Sequence, residues 1–350
     1  MKQGRTLTEL AAEIERQAGA KMDLMADTRE ITLRSNGTSR LAVAGAGDFG
    51  ITDMAHGQIA EHAGIPKGYY DRMRVEAPAL LDGNVNHWLR ERPARRLVRT
   101  MDGGARAFLS DRYRRLDNFE LMEAVLPTLM ETPGLSVASC EVTDRRLYLK
   151  VTTDRIQGEV GVGDVVQAGL VVSNSEVGGG AVSVQPMSLR LVCRNGATHQ
   201  DFGTRKSHVG RLISDSGEGE AFRVFADETL RADDGAFFLK VRDVVRAALT
   251  QETFGHILAS MREAAGVRIE GDPVRAVEVL AARHRLTETE RTSSLRHLVS
   301  GGDLSLWGLA NAVTAMAQEV PSYDRASEME ALGGSLLALP ATDVRALVAA

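Results

Sequence analysis

Three guanidinium groups and a phenol fall together in the segment Ser110–Asn118, at Arg112, Tyr113, Arg114 and Arg115. Guanidinium forks match phosphate oxygens and a phenol ring can stack on a base, so this spacing suits a phosphate-gripping corner. The same residues also suit a strand-to-helix corner whose arginines pair with Asp111 and Asp117, and the spacing alone leaves both readings open. The surroundings add weight to the first. From Asn84 to Arg115 there are nine arginines against Glu91, Asp102 and Asp111, a net +6, while the whole chain is at -5. The remainder therefore carries -11, an asymmetry that can place one basic face on an acidic body. Against this, the chain has only six lysines, so arginine serves almost everywhere a cation is used. Arg99 and Arg106 belong to the same cluster. Lys150, Arg190, Arg194, Arg205 and Lys206 are further cations that could join it.

Two other constellations could do chemistry. Cys193, at the end of an apolar run, could be a nucleophile with His199 or His208 as its base, or a metal ligand with His199 and Asp201. A fourth ligand and any paired-cysteine spacing are missing, so Cys193 is expected to be a buried, inert core residue. The segment Gln58–Met73 has the spacing of a helix-turn-helix: small Ala60, Gly64 at the turn, apolar Ile65, Tyr70 and Met73, and Lys67, Tyr69 and Arg72 facing outward. Any helical hairpin of this length needs the same residues, and a structural hairpin is the reading adopted. No phosphate loop, His-Glu-x-x-His, nucleophile elbow or dinucleotide fingerprint occurs. No catalytic residue, metal site or cofactor is assigned.

The elements that must hold these groups are legible from period and punctuation. Hydrophobic residues are 43%, charged 25% and aromatics only 5%, so a core of Ala, Val and Leu is expected. Apolar positions at helical spacing give a short helix over Thr6–Gln17. Hairpins are expected around Asn36-Gly37, Gly103-Gly104 and Thr143-Asp144, and across Asn174–Gly180, whose three glycines serve either a permissive turn or a mobile finger. Helices follow Thr52 and Pro66, cover Pro78–Arg92, and run from Asn118 to Glu131 before Pro133-Gly134. The strand beginning near Ala181 is expected to end at a tight turn on Asn195-Gly196. From Phe222 onward the pattern is helical, with a capping box at Thr287 and Glu290. The organisation expected is an N-terminal helix over 1–27, an α+β core with an antiparallel sheet over 28–205, a linker over 206–221, and a helical module over 222–350. No apolar run approaches the roughly 18 residues of a membrane span, and the two cysteines fit a reducing cytoplasm.

Ile65–Met73, Asn84–Leu89, Leu97–Thr100, Ser110–Asn118, Arg190–Gly196 and Gly302–Thr314, in this order, resemble the phage- and plasmid-borne proteins grouped as domain of unknown function 932. The resemblance spans roughly residues 50–340. It implies carriage on mobile elements, where recombination, strand annealing and plasmid establishment are common activities. The function expected is binding of single- or double-stranded DNA through phosphate contacts, with strand annealing as its finer form. Arg99, Arg106, Arg112, Arg114 and Arg115 would neutralise phosphates and Tyr113 would stack. The alternatives are a duplex-reading regulator using Lys67, Tyr69 and Arg72, and an interaction factor acting through the helical module. A homo-oligomer is compatible with each, and no membrane partner is expected.

Overall fold

A computed structural model describes residues 1–199, 204–206, 212–213, 222–223 and 227–349. Helix α1 (Leu7–Ala20) opens on a capping box between Thr6 and Glu9 and packs through Leu10 and Ile14. Strands β1 (Lys21–Asp27), β2 (Ile31–Asn36), β3 (Thr38–Val43) and β4 (Gly47–Ile51) follow. Helices α2 (Asp53–Ala63), α3 (Lys67–Glu76) and α4 (Pro78–Glu91) come next, then β5 (Arg95–Met101) and β6 (Gly104–Ser110). These strands form one six-stranded sheet in the order β1-β5-β6-β4-β3-β2, antiparallel except for β4 beside β6. One face is covered by α2, α3 and α4, with Ile59, Tyr70, Leu81, Val85 and Leu89 buried against Leu33, Leu41, Val98 and Phe108. Gly64 ends α2 in the left-handed conformation (φ 69°), donating its N–H back to the helix, as a C-terminal glycine does.

Helix α5 (Asn118–Glu131) leads to a second sheet. Its strands β7 (Leu135–Val142), β8 (Leu147–Glu159), β9 (Val165–Asn174), β10 (Val182–Arg190) and β11 (Asn195–Thr198) lie in antiparallel order, and short β12 (Thr204–Lys206) extends β10. The two-residue strands β13 (Leu212–Ile213) and β14 (Phe222–Arg223) pair separately. Alternation sorts the two faces of the second sheet. Leu147, Leu149, Val151, Leu170, Val172, Val182 and Val184 face α1, α5 and α6 (Asp227–Ala248). Farther along that face, Val166 and Ala168 meet α7 (Gln251–Gly266). The helices α8 (Pro273–His284), α9 (Glu288–Gly301), α10 (Leu306–Met316), α11 (Tyr323–Leu336) and α12 (Ala341–Val348) share a core of their own. From it, α11 lies over the polar face of the second sheet, where Lys150 Nζ donates to Glu330 Oε2 at 2.6 Å with both side chains 1% exposed.

The architecture is α+β with a C-terminal helical region, as expected, and the capping box at Thr287 and Glu290 is present. One detail differs. Asn195-Gly196 does not turn; Leu191–Arg194 does, with Arg194 at φ 51°, and Asn195 opens β11. Of the two readings of Asn174–Gly180, the connection takes the packed turn, with Asn174, Ser175, Glu176 and Val177 buried. The linker region 206–221 lies outside the described residues apart from Lys206 and Leu212–Ile213, as do His208 and Asp201. Among the described residues no single helix is long and apolar enough to cross a membrane.

Two buried histidines tie stability to pH. Burial pushes the pKa of His56 and of His199 down to about 4. Their neutral rings are bonded to Tyr70 Oη at 2.8 Å and Ser188 Oγ at 3.0 Å. The unfolded chain takes up these protons near pH 6.5, so each histidine stabilises the fold fully above that pH and progressively less as pH falls toward 4. Denaturant melts should show stability falling between pH 6.5 and 4.5, at up to ~1.4 kcal/mol per pH unit per histidine. His199→Gln should remove about one proton from that slope; an unchanged slope would contradict the assignment.

Candidate anion-binding site

The arginines of the basic stretch separate into an inner set and an outer set. The inner set centres on Glu176, in the connection between β9 and β10, which is 4% exposed. Its Oε2 accepts from Arg106 Nη2 at 2.5 Å, and its Oε1 accepts from the backbone N of Asn118 at 2.7 Å and faces Lys21 Nζ at 3.5 Å. Arg106 is the extra residue of a bulge, since Arg99 pairs with Ala107 and Thr100 with Ala105, and the bulge aims its side chain at Glu176. Arg99 is fully buried. Its Nε donates to Asp23 Oδ1 at 2.8 Å, its Nη1 to the Glu176 carbonyl at 2.9 Å, and its Nη2 lies 2.8 Å from Asp117. Burial works against this charge, but Asp117 and Asp23 outweigh it and hold the Arg99 pKa above its ordinary value. Asp117 is likewise opposed by burial and lowered by Arg99 and Lys21.

This geometry corrects several expectations. Arg99 and Arg106 cannot neutralise phosphates, because their guanidinium groups are enclosed and already matched by carboxylates. Tyr113 cannot stack a base as it stands; it is partly buried and its Oη donates to the Ser175 carbonyl at 2.9 Å. Arg114 pairs with Asp234 on α6 at 2.6 Å, and exposed Arg115 pairs with Asp23 at 3.1 Å. The corner arginines thus find Asp23 and Asp234, not the expected Asp111 and Asp117, the latter being taken by Arg99 and Lys21. Lys150 is enclosed under α11, and Arg190 pairs with Asp164 at 2.5 Å. Arg194 is exposed in the turn before β11, on the second sheet and away from this cluster in the fold. Arg205 and Lys206 sit on β12 opposite Ser183 and Val182, and their side chains lie outside the described residues.

The outer set gathers where β5 begins and β6 ends. Arg96 pairs across the sheet with Ser110, and Arg95 with Asp27 at the end of β1. Arg112 lies in the turn closed by Tyr113 N donating to the Ser110 carbonyl at 3.1 Å. Arg92, just after α4, stacks on Trp88 with its guanidinium carbon 4.5 Å from the ring centre. Arg92, Arg95 and Arg112 are exposed, Arg96 is half-buried, and among the described residues none of the four makes an ion pair.

Arg96 is the informative member. Its Nη2 donates to His62 Nδ1 at 2.6 Å, and because a guanidinium can only donate, the imidazole proton must sit on Nε2. Burial, with help from Arg96 and Arg92, pushes the His62 pKa down to about 4, which keeps the ring neutral. His62 Nε2 and Arg96 Nε are then two buried donors with no acceptor among the described residues. Burial lowers the Arg96 pKa, and Asp111 and Glu61 oppose that shift from beyond ion-pair distance. A half-buried cation with unmet donors is short of an anion. Arg92, Arg95 and Arg96 enter the net charge of the stretch, but no motif singles them out. For Arg95 and Arg96 the place at a strand start, where a side chain can reach solvent, is the available signal.

The other two constellations resolve as follows. The α2–α3 hairpin packs on the first sheet, and Lys67 and Arg72 make pairs one turn along with Asp71 and Glu76. Cys193 is exposed in the Leu191–Arg194 turn, overturning the expectation that it is buried, because the strand stops at Arg190. Cys140 is the buried cysteine, and burial pushes its thiol up to about 11.

Arg99→Met should cost about 3–5 kcal/mol in denaturant melts, because it strands Asp23 and Asp117, while Arg95→Ala should cost less than about 0.5 kcal/mol. Equal costs would contradict the division into two sets. A thiol reagent should modify native Cys193 rapidly and Cys140 only on unfolding; the reverse order would contradict the turn geometry.

No curated protein and no solved structure matches the chain. A family model does, over residues 107–331, which takes in the corner, the second sheet and the helices as far as α11. The chain therefore belongs to the family described as domain of unknown function DUF932.

Proposed function

We propose that this protein binds nucleic acid through sequence-independent phosphate contacts at the end of the first sheet, using Arg92, Arg95, Arg96 and Arg112. The observation that carries the reading is Arg96, a half-buried guanidinium bonded to neutral His62 with no carboxylate partner among the described residues. Arg92, Arg95 and Arg112 are exposed at the same end of the sheet, where a polyanion can meet several guanidinium groups at once. Half-buried Trp88 carries the exposed Arg92 guanidinium on its ring, and a guanidinium plane so held suits the unstacked bases of a single strand better than duplex. Among the described residues no carboxylate holds any of these groups, so within them none must break an ion pair to meet a phosphate. Strand annealing is the finer form of this reading, and carriage on a mobile element would fit it.

The test is binding to labelled single- and double-stranded oligonucleotides across a salt series. Counterion release gives a slope of about -0.7 per phosphate contact on single strands, so three or four contacts weaken binding roughly twentyfold to fiftyfold between about 50 and 200 mM salt. Arg92→Ala with Arg96→Ala should flatten the slope by about one to two units and weaken all sequences alike. Absence of binding at about 50 mM salt, or binding indifferent to substitution of all four arginines, would overturn the proposal.

A further inference from the structure

A cavity of about 420 Å³ lies between the polar face of the second sheet and α11, within the size range of small-molecule sites. It owes its chemistry to the period-two alternation of the strands. The same register that turns Leu149, Leu170 and Val172 to the core turns Lys150, Val171 and Ser173 to this side. The walls are of two kinds. Ser173, Ser183, Gln185 and Ser327 supply hydroxyl and amide groups, whereas Val171, Met329 and Leu332 supply an apolar flank.

The charges of the lining nearly cancel. Lys150 is matched by Glu330 at 2.6 Å, and Glu328 by Arg325 at 2.9 Å. Burial, with Arg283, holds the His284 pKa below its ordinary value. Arg146 alone is left over: its Nη2 donates to the Gly179 carbonyl at 2.7 Å, and it makes no ion pair among the described residues. The backbone reserves its place. A Cβ on Gly180 would fall 1.3 Å from Arg146 Nη2, so the glycine leaves the slot the guanidinium occupies. The hydroxyls also have capacity to spare. Ser173 and Ser183 lie Oγ to Oγ at 2.9 Å, which uses one of their two protons, and Ser327 Oγ accepts from Lys150 at 2.9 Å while its own proton stays available.

One uncompensated cation, a bank of hydroxyls and an apolar flank in one half-enclosed space form a selective combination. The geometry points to a small-molecule site in this cavity for a polyhydroxylated ligand bearing one anionic group, the chemistry shared by sugar phosphates and nucleoside monophosphates. Arg146 meets the anion, the serines meet the ligand's hydroxyls, and the Met329–Leu332 flank covers its ring. This site is on the second sheet and is independent of the arginine row on the first.

The full-length protein is titrated calorimetrically with ribose phosphate, adenosine monophosphate, neutral ribose and inorganic phosphate. Saturable binding of either phosphorylated sugar, at least tenfold tighter than ribose or phosphate alone, is the expected result. Preference between the first two assigns the source as a sugar phosphate or a nucleotide. Arg146→Gln should weaken binding tenfold or more, the loss of one charge-assisted contact. Ala331→Met, which fills the cavity from α11 without disturbing the helix, should abolish it. Circular dichroism confirms that each variant is folded. No binding of any probe at about 1 mM, or binding unchanged in both variants, would overturn the inference.

Discussion

Glu176 is the residue on which the arrangement of the two sheets depends. A carboxylate at 4% exposure is costly unless every lone pair is met, and here β6 supplies Arg106, β1 supplies Lys21 and α5 supplies its first N–H. Asp117 occupies the position before α5 but makes no side-chain cap, because its carboxylate is committed to Arg99 and Lys21. Glu176, from a connection more than 50 residues away, meets the helix N-terminus in its place, where a negative charge is favoured. The same connection is held by Gln58 of α2, which donates to the Val177 carbonyl and accepts from Phe108 N, each at 2.7 Å. Leu97, Ala107, Leu109 and Val177 close the apolar part of this junction. One loop thus gathers the first sheet, its covering helix and the helix that enters the second sheet.

This commitment decides which arginines remain for other work. Arg99 and Arg106 serve the junction, and Arg114 serves the contact with α6 through Asp234. The arginines at the sheet's end are not needed there. The net charge of the stretch says nothing about this division, because a buried matched cation and an exposed unmatched one count alike. Their energetic roles are opposite: removing an inner one strands carboxylates in the interior, and removing an outer one costs the fold little.

Much of the fold was legible because its signals are local. Asn118–Glu131 begins and ends where the sequence places it, and Gly64 and the Thr287–Glu290 box act as their residue types dictate. What was not legible is non-local. Strand β1 mixes Lys, Met and Asp without clean alternation and is fixed by β5, more than 70 residues later. Asp23 and Asp234 lie far along the chain from the arginines they match, so the Arg112–Arg115 corner read as available when it was not. For Arg99 a local signal did exist, since a lone charge between Leu97-Val98 and Thr100-Met101 in mid-strand has little route to solvent. For Arg106 there was none, because a bulge inverts the face that alternation assigns. The Cys193 error has the same origin as the misplaced turn: Asn195-Gly196 was given a hairpin role that Leu191–Arg194 takes, so the strand ends before the cysteine.

The basic stretch is two populations, one built into the sheet junction and one without ion pairs among the described residues, which we propose meets an anion. Arginine-selective labelling of the native protein with phenylglyoxal, read residue by residue by mass spectrometry with and without a single-stranded oligonucleotide, addresses both halves at once. Rapid labelling of Arg92, Arg95 and Arg112 is expected, with no labelling of Arg99 and Arg106 until the protein unfolds and protection of the first group alone by the oligonucleotide. Labelling of native Arg99 or Arg106 at the rate of Arg112, or an oligonucleotide that protects none of the outer arginines, would contradict it.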